Sequence, residues 1–223
     1  MLPAKVRERW LFLESNSAAA VIQAVCPNEW NDIVEVLSSF SLNAVSLLTP
    51  GGSRGVIAEA IDNAFSARGW REARLDLETK GILFGKDGKK IEELPAIYQK
   101  GYLVDNFKNR IVLDVEWNAK DGNLDRDLAA YRSWYDAGII SAAVIITKDR
   151  PSLRDLNRKL WADYLSTLPT DQRAQVQPVD FKTSTVTSFD TAEMRVRRGV
   201  MGSCPMLIIG ATLATYDGTA YSV

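Results

Sequence analysis

Apolar residues recur at helical spacing early in the chain: Trp30, Ile33, Val34, Leu37 and Phe40 punctuate EWNDIVEVLSSF, which predicts an amphipathic helix led in by Pro27 and Asn28. A second helix is expected after TPGGSRG, with Val56, Ile57, Ala60, Ile61, Ala64 and Phe65 inward and Gly69 as its stop. The period then shortens to two in REARLDLET, a strand pattern, and GKDGKKIEELPA reads as a polar loop or short helix. YQKGYLVD and RIVLDVEW read as antiparallel strands joined by the polar turn NFKN. Asn123 is placed to cap the helix LDRDLAAYRSWYDAG, in which Leu124, Leu128, Tyr131 and Trp134 or Tyr135 share one side and Gly138 ends the run. IISAAVIIT is apolar throughout, as in a central strand covered on both faces. A helix with Pro151 in its first turn, a strand-like STVTSF, a short basic helix TAEMRVRRG and a closing strand PMLIIGATLA follow. This alternation predicts an α/β fold, a mixed central sheet sandwiched by helices with an antiparallel start, in one domain spanning residues 1–223.

Composition changes the picture mainly by exclusion. The chain contains no histidine, which removes Ser-His-Asp and Cys-His catalysis and mixed His/Cys zinc sites, so any chemistry must rest on carboxylates, amines or hydroxyls. Cys26 and Cys204 are too few for a four-thiolate site or a disulfide framework and read as core thiols. With 27 basic and 28 acidic residues the whole carries no strong attraction to nucleic acid, though a local basic cleft is compatible with that balance. No window approaches the roughly 18 apolar residues of a membrane span, and the start lacks a signal-peptide run, so a cytoplasmic location is expected.

One strand breaks the apolar rule. In RIVLDVEW, Asp114 and Glu116 project to one face while Leu113, Val115 and Trp117 project to the other, and Asp105 on the preceding strand can reach the same acidic patch. Packing such carboxylates together costs several kcal/mol unless a cation or donors compensate. Oxygen-only ligation suits Mg²⁺, Mn²⁺ or Ca²⁺, and Mg²⁺ sites typically combine one or two carboxylates with phosphate oxygens. Two other readings stay open: acids at a sheet edge, in water and paired with Lys108, Arg110 or Lys120, or a glycosidase-like pair, whose carboxylates normally flank a sugar.

The order Asp105, eight residues, Asp114, one residue, Glu116 resembles the PD-(D/E)XK nuclease signature, in the variant whose final lysine is replaced by an acid or amide. More narrowly, CPNEWNDIVEVL, AEAIDNAFSARGWRE, VDNFKNRIVLDVEW and RRGVMGSCPMLIIG together, in this order, resemble the BglII/BstYI family of type II restriction endonucleases, with BamHI a more distant relative. The chain departs from close members in carrying Asp114 for glutamate and Glu116 for glutamine, the latter a BamHI-like acid. NAKDGNLDRDL departs too, which leaves the target sequence open.

The resemblance implies a restriction-endonuclease-like fold and Mg²⁺-dependent hydrolysis of double-stranded DNA at a short palindrome with a GATC-like core, leaving 5′-phosphate ends, with Mn²⁺ as a possible substitute. It implies that Asp105, Asp114 and the Val115 carbonyl hold the metal and that Glu116 orients or deprotonates the attacking water. Glu72 falls where relatives often carry a further active-site acid or amide; an exposed strand charge is the other reading. Asn118, Lys120, Asp121, Asn123 and Arg126 are candidate base contacts, and Arg195, Arg197 and Arg198 candidate phosphate contacts, against solvated loop and helix-face residues. Trp134, Tyr135 and Trp161 read as core. A palindromic target implies a homodimer, with the helix from Leu124 to Ala137 as a candidate interface, and a cognate DNA methyltransferase as the genetic partner. A repair or structure-specific nuclease of the same fold, and a DNA-binding protein whose acids are not catalytic, are the competing functions.

Overall fold

Strands that are apolar on both faces need cover on both, and that requirement organises this chain. The computed structural model describes residues 2–49, 55–170 and 186–221. Helix α1 (Ala4–Arg9) leads into β1 (Trp10–Ser15), and α2 (Ala18–Val25), α3 (Pro27–Ser39), α4 (Ala44–Leu48) and α5 (Val56–Ser66) precede β2 (Arg71–Arg74). Next come the short strands β3 (Leu77–Thr79), β4 (Ile82–Phe84), β5 (Lys90–Glu93) and β6 (Ile97–Gln99), then β7 (Leu103–Lys108) and β8 (Ile111–Val115). Helices and strands alternate thereafter: α6 (Asp121–Asp136), β9 (Ala142–Lys148), α7 (Arg150–Thr167), α8 (Phe189–Arg197) and β10 (Met206–Ala211).

Six strands form one mixed sheet in the order β1-β10-β9-β8-β7-β2. Its centre, β8, β9 and β10, is parallel, while β1, β7 and β2 run antiparallel to their neighbours. Alternate residues go to opposite layers. Leu113, Val115, Val144, Ile146, Leu207 and Ile209 meet residues of α1 to α5 and α7, whereas Val112, Ala143, Ile145, Met206 and Ile208 meet α6 and α8. The expected α/β class, with helices on both faces of a mixed sheet, is what the chain adopts.

Several local expectations are corrected. On α5 the inward side is Ile57, Ala58, Ile61, Asp62 and Phe65, and Val56 and Ala60 are exposed. The helix is turned toward a polar partner, since Asp62 Oδ1 accepts a 2.8 Å hydrogen bond from the buried Asn106 amide of β7. Its stop is as expected: Gly69 takes φ +82°, and the Trp70 N–H reaches back to Phe65 O. GKDGKKIEELPA supplies the turn and return strand of a hairpin, β5 pairing with the preceding β4 through a turn in which Gly88 has φ +76° and the Lys89 N–H donates to Asp87. NFKN is mostly strand; the turn is Asn109–Arg110, with Asn109 left-handed at φ +53°. Those polar strand residues are partnered, Asn106 by Asp62 and Lys108 by Asp32 at 2.7 Å, which is how a buried strand tolerates them. Asn123 lies inside the first turn of α6, whose N-cap is Lys120. The apolar side of α6, expected as a dimer interface, is not available to a partner subunit: Leu124, Leu128, Tyr131 and Trp134 are at most 2% exposed, packed under the sheet. Of STVTSF, Ser184 and Thr185 lie outside the described residues, Val186 makes an isolated bridge to Lys120, and Ser188 caps α8.

Candidate active site

The β7–β8 ladder runs from Lys108↔Ile111 through Asn106↔Leu113 and stops at the next position, where Asp105 and Asp114 meet. There side chains take over the backbone's role. The Asp105 N–H donates to Asp114 Oδ1 at 2.5 Å, and the Val115 N–H donates to Asp105 Oδ2 at 3.0 Å. Beyond Asn106, β7 pairs with β2 alone, through Val104↔Ala73 and Leu103↔Arg74. Glu72 occupies the register shift between Arg71 and Ala73, a bulge that sets it against Asp105 and Asn106. It is exposed and lines, with Asp105, a cleft of about 530 Å³ walled by Arg74, Lys100, Tyr102 and Arg126.

Burial loads the acids. Asp114 and Glu116 are 5% and 8% exposed, side by side on the face that α6 covers. Desolvation first, then the Asp105 carboxylate, raises Asp114 well above the ordinary range, despite the hydrogen bond it accepts from Tyr131 Oη. Glu116 is pushed up to about 8 by burial, then by the charges of Asp127 and Asp105. It hydrogen-bonds Asp127, while its Oε2 has no hydrogen-bond partner among the described residues. Its main chain is fixed on both sides: the Glu116 N–H donates to Ile146 O at 2.9 Å, and Thr147 Oγ1 donates to Glu116 O at 2.8 Å.

Asp127 was not singled out from the sequence and Tyr131 was read only as part of the helix's inward side, yet both touch this cluster. They lie one helical turn apart on α6, within the stripe of Leu124, Leu128 and Trp134, so an acid in an otherwise apolar stripe was the available signal. Asp127 is 5% exposed, raised by burial and held by Arg126, whose Nη2 is 2.8 Å away. Arg126 in turn lies over the Tyr102 ring, 5.0 Å from its centroid. Arg126 therefore joins the acids to the cleft wall.

The other candidates are placed differently. Asn118 accepts from the buried Lys148 Nζ at 3.5 Å, beside the Trp117 ring on the opposite side of the strand from Glu116. Burial, then Arg150, lowers Lys148 to about 7, with Glu116 opposing. Lys120 and Asn123 are exposed at the head of α6, and the side chain of Asp121 lies outside the described residues. Arg195 makes a two-pronged ion pair with Asp125 of α6, at 2.7 and 3.1 Å, and is only 12% exposed. Arg197 pairs with Glu193, and Arg198 is exposed at the end of α8.

Among the described residues no three acids converge at the spacing of a finished metal cage. The donor chemistry nonetheless fits a hard divalent cation, because it is all oxygen, it holds mutually repelling carboxylates, and it includes the buried, unpartnered Glu116 Oε2.

The family model of the restriction endonuclease BglII/BglIII matches residues 10–211 of the 223. The chain belongs to that family. No curated protein matches it. As a BglII/BglIII-family protein it is a restriction endonuclease, and the matched region takes in all six strands of the main sheet and every acid described above. Membership supplies what an acidic strand alone left open: the cutting of DNA, by a family that generally uses divalent metal ions.

Proposed function

We propose that this chain is a Mg²⁺-dependent type II endonuclease that cuts both strands of duplex DNA at a short palindrome and leaves 5′-phosphate ends. The observation that carries the reading is the meeting of Asp105 and Asp114 where the β7–β8 ladder ends, beside a cleft walled by Arg74, Lys100 and Arg126. Cations around a carboxylate pair suit a phosphodiester, whose charge they hold while the acids hold a metal.

Asp105, Asp114 and the Val115 carbonyl would hold the ion, Mn²⁺ being the nearest substitute. The carbonyl accepts from the Trp117 N–H at 3.1 Å and keeps its second lone pair. Such an ion supplies Lewis-acid activation of the phosphate and lowers the pKa of bound water. Glu116 Oε2, with no described partner, would take the water's proton once a cation bound beside it has favoured the ionised carboxylate over the protonated form that burial alone imposes. Tyr131 Oη orients Asp114, and Asp127 with Arg126 orients Glu116. Glu72 flanks Asp105 from β2, opposite the bulge in β7. Asn118, Lys120, Asp121 and Asn123 follow the acidic strand into the head of α6 and are proposed to reach the bases, with Arg126 at the cut strand and Arg197 and Arg198 on phosphates. Arg195, engaged by Asp125, is proposed to steady α8. The enzyme acts as a homodimer, in the cytoplasm, beside a methyltransferase that protects the same site; among the described residues no helix is long and apolar enough to cross a membrane.

The test is incubation of the purified protein with unmethylated phage DNA in Mg²⁺, Ca²⁺ or EDTA, with Asp114→Asn as control and the ends sequenced. Discrete fragments in Mg²⁺ alone, absent in the variant, support the reading. Smears, cuts confined to branched DNA, or fragments that persist in Asp114→Asn overturn it.

A further inference from the structure

Every residue of β9 is buried, and the last of them is a lysine. Lys148 has no exposure to solvent, and burial, then Arg150, lowers it to about 7, with Glu116 opposing. An apolar side chain of similar volume would end the strand at less cost. What the lysine adds is contact. Its ammonium lies 5.4 Å from the centroid of the Trp117 ring and donates to Asn118 Oδ1 at 3.5 Å.

Trp117 and Asn118 belong to the connector that carries the chain from the acidic strand to Lys120, the N-cap of α6. This connector is held almost residue by residue. The Glu116 N–H donates to Ile146 O at 2.9 Å, and Glu116 O accepts from Thr147 Oγ1 at 2.8 Å. Ala119 O accepts from the Thr187 N–H at 3.0 Å, and Lys120 bridges to Val186. Ile146, Thr147 and Lys148 are consecutive on β9, so one strand fixes both Glu116 and the side chain of Asn118.

The other end of that side chain is confined by α5. A Cβ on Gly55, the N-cap of α5, would stand 2.9 Å from Asn118 Nδ2. Gly55 has φ −79°, a value open to any residue, so its missing side chain serves as space for Asn118 and not as conformational freedom. The Asn118 carboxamide is therefore held at its oxygen by Lys148 and bounded at its nitrogen by Gly55.

We propose that Lys148 is a positioning residue for DNA cleavage: with Gly55 it fixes the Asn118 carboxamide, so that a correct base contact at the connector is passed along the same segment to Glu116. The proposal rests on the assignment of Asn118 to the bases made above. Lys148, fully buried, does not meet DNA and acts through Asn118.

Steady-state cleavage of a duplex carrying the site mapped by the phage digest, with urea unfolding of the same proteins, tests this. Trp117 and Asn118 are neutral, so Lys148→Met strands no charge against them and is expected to unfold at the wild-type urea midpoint or above it. Its kcat is expected to fall at least about tenfold while KM stays within about twofold, the pattern of an interaction realised in the transition state. Gly55→Ala, which alters neither Lys148 nor an acid, is expected to act alike by displacing Asn118 from its other end. Lys148→Met combined with Asn118→Ala is expected to be no slower than Asn118→Ala alone, because both act at one group. A Lys148→Met or Gly55→Ala enzyme with the wild-type kcat overturns the proposal. So does a lowered urea midpoint that accompanies the lost activity, which makes Lys148 a support of the fold, and so do losses that multiply in the double variant. A wild type that cleaves no DNA overturns the nuclease reading and this proposal with it, whereas a cleaving wild type matched by Lys148→Met overturns this proposal alone.

Discussion

Glutamine at position 116 keeps the shape of the side chain and removes its ionisation, so Glu116→Gln isolates the electrostatic load on the acidic strand. Glu116 has an ordinary value of 4.5 and stands at about 8 in the folded protein, raised by burial and then by Asp127 and Asp105. Between those values the folded state holds a proton that the unfolded chain has released, so unfolding stability falls as pH rises across that window. At about 1.4 kcal/mol per tenfold change in proton affinity, the loss is bounded near 5 kcal/mol. Relaxation of a buried site toward solvent lowers the expected effect to about 2–4 kcal/mol. The variant lacks this loss. In urea unfolding with EDTA, its stability should match wild type near pH 4.5 and exceed it by about 2–4 kcal/mol at pH 8 and above. Asp105, Asp114 and Asp127 are coupled to Glu116, so the difference between the two proteins reports the whole change in the cluster's proton uptake when this one ionisation is removed. Parallel stability curves for the two proteins from pH 5 to 8.5 would refute the claim that Glu116 is held protonated by its surroundings.

Three further outcomes follow from the same geometry. Tyr131→Phe removes the hydroxyl that donates to the buried Asp114 carboxylate, which should cost about 1–3 kcal/mol in urea unfolding and slow Mg²⁺-dependent cleavage. Gly101→Ala would set a Cβ 1.5 Å from Leu75 O at the root of the ribbon that β3 to β6 form between β2 and β7. The root must move, so cleavage should fall by about tenfold or more while global stability changes by less than about 1 kcal/mol, as expected for an edge outside the main core; unchanged turnover would show that the cleft wall does not matter. Arg195→Ala breaks the two-pronged pair with Asp125 and should cost about 0.5–2 kcal/mol of stability without altering the salt dependence of DNA binding. A salt slope lower by about one would instead make Arg195 a phosphate contact.

Period carried most of the fold. β9, apolar through IISAAVIIT, is the buried central strand its pattern predicted, and Leu124, Leu128, Tyr131 and Trp134 form the inward side of α6. Some of the misreadings share one cause: polarity was taken for exposure. Asn106 and Lys108 sit in a strand because Asp62 and Asp32, distant in sequence, meet them. Asp62 lies on a buried helix face for the same reason, answered by Asn106 of β7, whereas Asp127 is answered by its own neighbour Arg126. The ribbon failed in the opposite direction, since GKDGKKIEELPA has the composition of a loop, and its strands are fixed by cross-strand pairing and the Gly88 turn. At the site, Asp105, Asp114 and Glu116 were legible because acids two apart on a buried strand violate its pattern. Which cations stand opposite them was not, because Arg126 is brought in by α6 and Lys100 by the return of the ribbon.

The acids and the ribbon have a common structural origin. Continuing the β7–β8 ladder one pair beyond Asn106↔Leu113 would join Asp105 and Asp114 through their backbones and bring two carboxylates together in a dry sheet. The carboxylates instead accept the backbone N–H groups of Asp105 and Val115, so each strand is satisfied by the other's side chain and pairing ends. Released from β8, the start of β7 follows β2 alone, and these two strands continue outward as the ribbon. The gap beside β8 is where Arg126 and Tyr102 face Asp105 across the cleft. The two acids facing each other across β7 and β8 therefore mark where the ladder ends, the cleft opens and the ribbon departs. Substituting both with apolar residues should extend the β7–β8 pairing and close that gap.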